Sequence, residues 1–176
     1  MLRPVVLYPD PILKKKSRVV TEFDADLKAL AADMAESLRD AEGIGLAGVQ
    51  VGVLLRIMAM DAKYDQEDRG EPLILINPEI LEKSGAEVGD EGCLSLPDIR
   101  EDVERATRVK VKTQDVEGKN QVYEFTGILA RCIQHETDHM NGHLFIEKVP
   151  AVKRILMKTK LKRLEKQYKT AHGKDA

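Results

Sequence analysis

The chain has little cysteine, no long apolar run and no internal repeat, and each shortage narrows what it can be. Two cysteines in 176 residues, Cys93 and Cys132, cannot build a disulfide framework. In a cytosol-like compartment both stay reduced, which leaves a thiolate free to bind metal. No apolar stretch approaches the roughly 18 residues that would span a bilayer. The opening MLRPVVLYPD has neither the apolar core of a secretory signal nor the Arg/Ser-rich, acid-poor character of a transit peptide. The expectation is a cytoplasmic protein with no membrane partner.

Charge is nearly balanced overall, at −2, but unevenly placed. Residues 151–170 hold eight basic side chains and one acidic one, a net +7, which leaves −9 on the rest of the chain. An acidic body therefore carries a basic tail. A solvated helix face is the ordinary reading of such a run. Contact with an anionic partner such as RNA is the functional one, through phosphate charge and without sequence-specific reading.

Periodicity outlines the elements. Thr21 or Asp24 can cap a helix whose stripe is Leu27, Leu30, Ala31, Met34, Leu38 and Ala41, with Gly43 as its stop. LLRIMAM (54–60) and LILIN (73–77) read as buried strands, the second continuing through NPEILEKSGAEV. TRVKVKTQD alternates like a half-buried strand, VEGKN turns it, and QVYEF returns antiparallel. A helix follows from Ile128 to Met140, and Pro150 opens the basic C-terminal helix. Regular βαβ alternation is missing. The predicted class is α+β, mainly antiparallel sheets around a central helix, with a C-terminal helix. Residues 1–150 are expected to form one catalytic domain, with 151–176 as a basic helix and tail of the same domain.

The central helix contains QHETDH, a His-Glu-x-x-His pattern. Residues four apart share a helix face, about 6 Å apart along the axis, so His135 and His139 can converge on one ion. Glu136 then lies within reach of a water on that ion. The ordinary alternative is a buried polar helix face with no ligand role.

Two histidines need a third ligand. A metzincin-type site would require histidine where Phe145 stands, and Gly142 turns His143 away. Cys132 and His139 are separated by about 10.5 Å of helix rise, whereas donors on one ion lie at most about 4.5 Å apart. A carboxylate ligand well downstream would have to come from Glu147 or Glu165, and Glu147 stands too close in sequence. Cys93 remains, in the glycine-flanked stretch GDEGCLSLP. Alone it would read as a buried hydrophobe or as a nucleophile paired with a histidine base. Beside a His-Glu-x-x-His helix lacking one ligand, a thiolate ligand is the favoured reading. Cys, His and His leave a fourth tetrahedral position open, as a catalytic site requires.

Three segments in this order, GIGLAGVQ (43–50), EGCLS (91–95) and QHETDH (134–139), resemble the motifs of the peptide deformylase family. The resemblance spans about residues 5–150 and includes YPDPIL and GHLFIEKV. Gly48 departs from it, standing where the family usually has alanine. The resemblance implies a metal-dependent hydrolase of protein biosynthesis that removes the formyl group from N-formylmethionyl nascent peptides and releases formate. It implies one ion per chain on Cys93, His135 and His139, with Fe(II) as the physiological metal and Zn(II), Ni(II) or Co(II) as substitutes. A water on that ion would attack the formyl carbon with Glu136 as general base. Gln50 and the backbone N–H of Leu94 would stabilise the oxyanion. Gly43 and Gly45 would border the substrate strand. Ile44, Ile128 and Cys132 are candidates for the methionine pocket, with Gly92 and Arg100 along the cleft. Glu91 or Arg105 could orient the histidines. The basic helix would contact the ribosome.

Two rival classes remain open on the residues themselves. One is a peptidase acting on an ordinary amide, which the missing metzincin histidine disfavours. The other is a ribosome-associated factor with a structural zinc, which would be expected to have four protein ligands and no use for Glu136.

Overall fold

The computed structural model describes residues 1–64, 66, 67 and 69–173. The first helix, α1, spans Ala25–Asp40 and is capped by Asp24, whose carboxylate accepts from the Leu27 N–H at 2.9 Å. Its buried stripe follows the predicted spacing from Leu27 to Leu38, while Ala41, the last predicted position, is the half-buried C-cap just past the helix. The stop differs. Glu42, not Gly43, takes the left-handed conformation, at φ 52°. Gly43 is kept small for another reason: a Cβ there would lie 2.9 Å from both Leu38 and Leu94.

Five strands follow in one antiparallel sheet: β1 (Gly45–Ala47), β2 (Ile57–Met60), β3 (Leu73–Ser84), and then β6 (Arg108–Gln114) and β7 (Asn120–Thr126), in that spatial order. Between β3 and β6 the chain leaves the sheet as a separate hairpin of β4 (Glu87–Cys93) and β5 (Leu96–Arg105). The segment GDEGCLSLP is therefore the tip of a hairpin. Its register slips between Gly92 and Cys93, beside the tight return to Leu96.

Alternation along the strands assigns the two sheet faces. Met58, Met60 and Leu75 join Val109 and Val111 in the core shared with the second helix, α2 (Gly127–Met140). Ile57, Ala59 and Ile76 face the opposite way, against α1. The sheet is thus sandwiched, and α2 is central. Ala130, Ile133 and Met140 on α2 are wholly buried. A third cluster joins the hairpin to the N-terminal segment and to α3 (Ala151–His172). Only Met157 and Leu164 of α3 are buried. Polar anchors complete its attachment: Tyr8 donates to Glu165 at 3.0 Å, Tyr168 to Asp10 at 3.1 Å, and Arg163 to Asp98 at 2.8 Å. Antiparallel sheets around the motif helix, with a C-terminal helix, match the expected class. Among the described residues no helix is long and apolar enough to cross a membrane.

Candidate metal centre

Helix α2 and the β4–β5 hairpin meet at a cluster of three donors. Cys93 ends β4; His135 and His139 face it from α2, and the three ligating atoms lie within 4.8 Å of one another. The two Nε2 atoms are 3.1 Å apart, and Cys93 Sγ is 3.2 Å from His139 Nε2. Donors around a tetrahedral ion at 2.0–2.3 Å stand roughly 3.3–3.6 Å apart, so one thiolate and two imidazoles fit an ion here with small adjustments. His143 is not among them. It is exposed and bonds to Glu147 at 2.9 Å.

His135 is oriented from behind, whereas His139 Nδ1 is buried with no hydrogen-bond partner among the described residues. His135 Nδ1 and Glu91 Oε1 are 2.5 Å apart, which leaves Nε2 facing the cluster. Glu91 is itself gripped by Arg105, at 2.6 Å and 3.1 Å, and by Arg131 at 3.2 Å. Arg105 continues to Asp138 at 2.6 Å, returning to α2. Phe145, also wholly buried, packs its ring 5.8 Å from that of His135.

This burial reshapes the acidities. Burial alone would raise the Glu91 carboxyl, but hydrogen bonds from His135 and Arg105 outweigh it and bring the group down to about 2. For Arg105, burial works against the charge, and Glu91 and Asp138 more than restore it. Glu136 has no such grip. Burial pushes its carboxyl up to about 7, and its Oε2 has no hydrogen-bond partner among the described residues. Burial also opposes protonation of both imidazoles. At His135 the Cys93 and Glu91 contacts overcome it, while at His139 the neighbouring His135 adds to it. Burial raises Cys132 well up, so it stays a thiol.

A cleft of about 450 Å³ opens onto this cluster. Gly43, Ile44, Gly45, Gln50, Gly92, Cys93, Leu94, Arg100, Ile128, Cys132, His135 and Glu136, all singled out from the sequence, line it together. Gln50 is buried in a short 3-10 turn after β1. Its Oε1 accepts from the Ala47 N–H at 2.8 Å, which aims Nε2 at Ser95 Oγ (3.2 Å) and Cys93 Sγ (3.6 Å). GIGLAGVQ therefore contains a strand and a turn. Gly45 must be glycine, because a Cβ would lie 2.5 Å from Cys132 Sγ and 2.6 Å from Glu136 Oε1. Arg100 bonds to Asp90 at 2.6 Å on the exposed rim. Tyr64, Ser95, Arg131 and Asp138 were not anticipated. Of these only Arg131 left a signal, a cation one turn before His135 on a helix otherwise buried there.

The family described as polypeptide deformylase matches residues 2–155 of the sequence. The chain belongs to the polypeptide deformylase family. A peptide deformylase of Chromobacterium violaceum is 48% identical over 163 residues, covering 93% of this chain and 96% of that protein. One from Alkalilimnicola ehrlichii is 45% identical over 163 residues, 93% of this chain and 90% of its own. The crystal structure of a Plasmodium falciparum peptide deformylase superposes with a TM-score of 0.88 at 39% identity, covering 96% of this chain and 99% of that one. Polypeptide deformylases are metal-dependent hydrolases that remove the N-formyl group from nascent peptides, and this chain is an enzyme of that kind. Its Cys93–His135–His139 cluster is a suitable metal site for the family's chemistry.

Proposed function

We propose that the chain deformylates N-formylmethionyl peptides with an ion held by Cys93, His135 and His139 and with Glu136 as the proton carrier. The observation that carries this reading is the pairing of three converging donors with a buried carboxylate oxygen, Glu136 Oε2, that has no hydrogen-bond partner among the described residues. When bound, the ion supplies a water acidic enough to lose its proton near neutrality. The thiolate lowers the net charge of a divalent site to about +1 and suits Fe(II) or Zn(II), with Fe(II) as the resident ion and Ni(II) or Co(II) as substitutes.

Glu136 Oε2 accepts the proton from the attacking water and later delivers it to the amine nitrogen of the departing peptide. A carboxyl brought near 7 by burial can do both. Gln50 Nε2 and the Leu94 N–H donate to the oxygen that becomes negative as the formyl carbon turns tetrahedral. Gln50 is held for this before substrate arrives by its bond to the Ala47 N–H. β1 is an edge strand that begins at Gly45, so its backbone from Gly45 offers its outer side to an extended peptide, with Gly43 bordering that strand two residues earlier. Ile44, Ile128 and Cys132 take the methionine side chain, and Gly92 and Arg100 border the opposite wall.

Residues 1–150 act as one catalytic domain with α3 attached, working in the cytoplasm. The basic face of α3 contacts ribosomal RNA through phosphate charge. Loss of low-salt ribosome binding on removal of residues after about 150 would support that contact, and unchanged binding would exclude it.

The deciding measurement is formate release from an N-formyl-Met tripeptide by protein prepared without oxygen and loaded with Fe(II) or Ni(II). Turnover of the formyl peptide but not the N-acetyl peptide is expected, with a roughly 10²–10⁴-fold loss in Glu136→Gln while metal stays bound. A Glu136→Gln variant that keeps its rate would remove the assigned role. Air-exposed iron protein should turn over more slowly per site than the anaerobic form.

A further inference from the structure

Arg131 stands one turn before His135 on α2, yet its guanidinium is buried and turned toward the hairpin. Such a group is costly inside a protein unless its donors are satisfied. Here they are. Nη1 donates to the carbonyls of Val103 at 2.7 Å and Gly89 at 3.3 Å, and to Glu91 Oε2 at 3.2 Å. Nη2 donates to the Glu87 carbonyl at 3.0 Å. The three carbonyls come from both hairpin strands, and the carboxylate is the one set against His135 Nδ1.

Gly89 makes this approach possible. A Cβ there would lie 2.8 Å from Arg131 Nη2 and 3.1 Å from its Cζ. The planar fork therefore lies flat against the strand that ends at Cys93. Arg105 makes the reverse tie, from β5 back to Asp138 on α2. The donor cluster is split between these two elements, with the thiol on the hairpin and the imidazoles on the helix. Their mutual placement depends on what joins hairpin to helix.

We propose that Arg131 is a positioning residue of the metal site: its guanidinium sets the hairpin carrying Cys93 against the helix carrying His135 and His139, and steadies Glu91 behind His135. This rests on the reading of those three residues as the ligand set. A lysine could keep the charge, but a single ammonium cannot span three carbonyls and a carboxylate with a planar fork.

Co(II) is the probe, because its visible spectrum reports thiolate ligation and donor geometry. Three variants separate the contributions. Arg131→Met removes the fork at similar length, Arg131→Lys keeps only the charge, and Gly89→Ala leaves the arginine but presses a methyl onto it. In Arg131→Met the Co(II) spectrum should change and release to a chelator should quicken about 10–100-fold. Lys and Gly89→Ala should show smaller shifts of the same kind. With formyl peptide, kcat should fall while KM stays within about twofold. Unchanged spectrum and release in all three, even with a lower melting temperature, would overturn the proposal and leave Arg131 a structural clip. A raised KM with kcat and release unchanged would also overturn it, in favour of a substrate contact at the cleft wall. If Arg131→Met does not fold, the other two variants decide by the same criteria. Wild-type protein that holds no Co(II) would overturn the ligand reading itself. That outcome is distinct from normal Co(II) binding with unaffected variants, which overturns the role of Arg131 alone.

Discussion

Helices α2 and α3 both carry many ionisable groups, and they treat them in opposite ways. On α2, Arg131, His135, Glu136 and His139 are buried, with Glu91 and Arg105 of the hairpin packed against them. On α3 the cations face solvent, Val152, Ile155 and Leu156 are exposed, and attachment rests on two buried side chains and a few polar contacts at the periphery. Where these buried groups are paired, as Arg131, Glu91, Arg105 and His135 are, they admit one arrangement, because removing one partner strands another in low dielectric. Exposed charges can be exchanged at little cost. The site is therefore built where substitution is expensive for the fold, and the surface helix where substitution costs the fold little.

The contrast is sharpest in the core of α2. Ile133→Ala, at a wholly buried position, should cost about 2–5 kcal/mol in urea unfolding, and a loss below about 1 kcal/mol would deny α2 its central place. Next is acid. Glu91 sits at about 2 in the folded protein against an ordinary 4.5, so its stabilisation is complete above pH 4.5 and drains away as pH falls toward 2. The shift corresponds to roughly 3 kcal/mol. Stability measured at pH 6 and pH 3 should drop further in wild type than in Glu91→Gln; parallel drops would show that the carboxylate contributes nothing. On the α3 side the effects shrink. Tyr8→Phe deletes the bond to Glu165 and should lower stability by about 1 kcal/mol. Smallest of all, Ile155→Ser should stay within about 0.5 kcal/mol of wild type. A larger destabilisation there would mean that this face of α3 is covered rather than free.

The sequence made the same contrast partly visible. The stripe of α1, the period-two alternation of β6 and the His-Glu-x-x-His spacing are local patterns, and each led to the right element. Cys93 emerged as the candidate third ligand because helix rise set Cys132 aside and the turn at Gly142 set His143 aside. The β4–β5 hairpin was harder to see. EVGDEGC and LPDIREDVER are both charged, the first also bears two glycines, and the slip between Gly92 and Cys93 breaks their pairing. The true stop of α1 was hidden because Glu42 rather than a glycine takes the left-handed turn. Arg131 was missed because an arginine in a helix ordinarily reads as solvated. Its place one turn before His135 hints at burial, but the glycine that makes room for it, Gly89, lies 42 positions earlier and is not found from spacing.

That distance along the chain also has a bearing on time. Cys93 and His139 are 46 positions apart, and Glu91 and His135 are 44 apart. None of these pairs can form by local coiling alone. The donor cluster comes into being only when hairpin and helix dock, a non-local event that loop-closure entropy makes slow relative to the helices themselves. During synthesis the chain therefore emerges with its thiols and imidazoles scattered, and Cys93, His135 and His139 converge only as folding finishes.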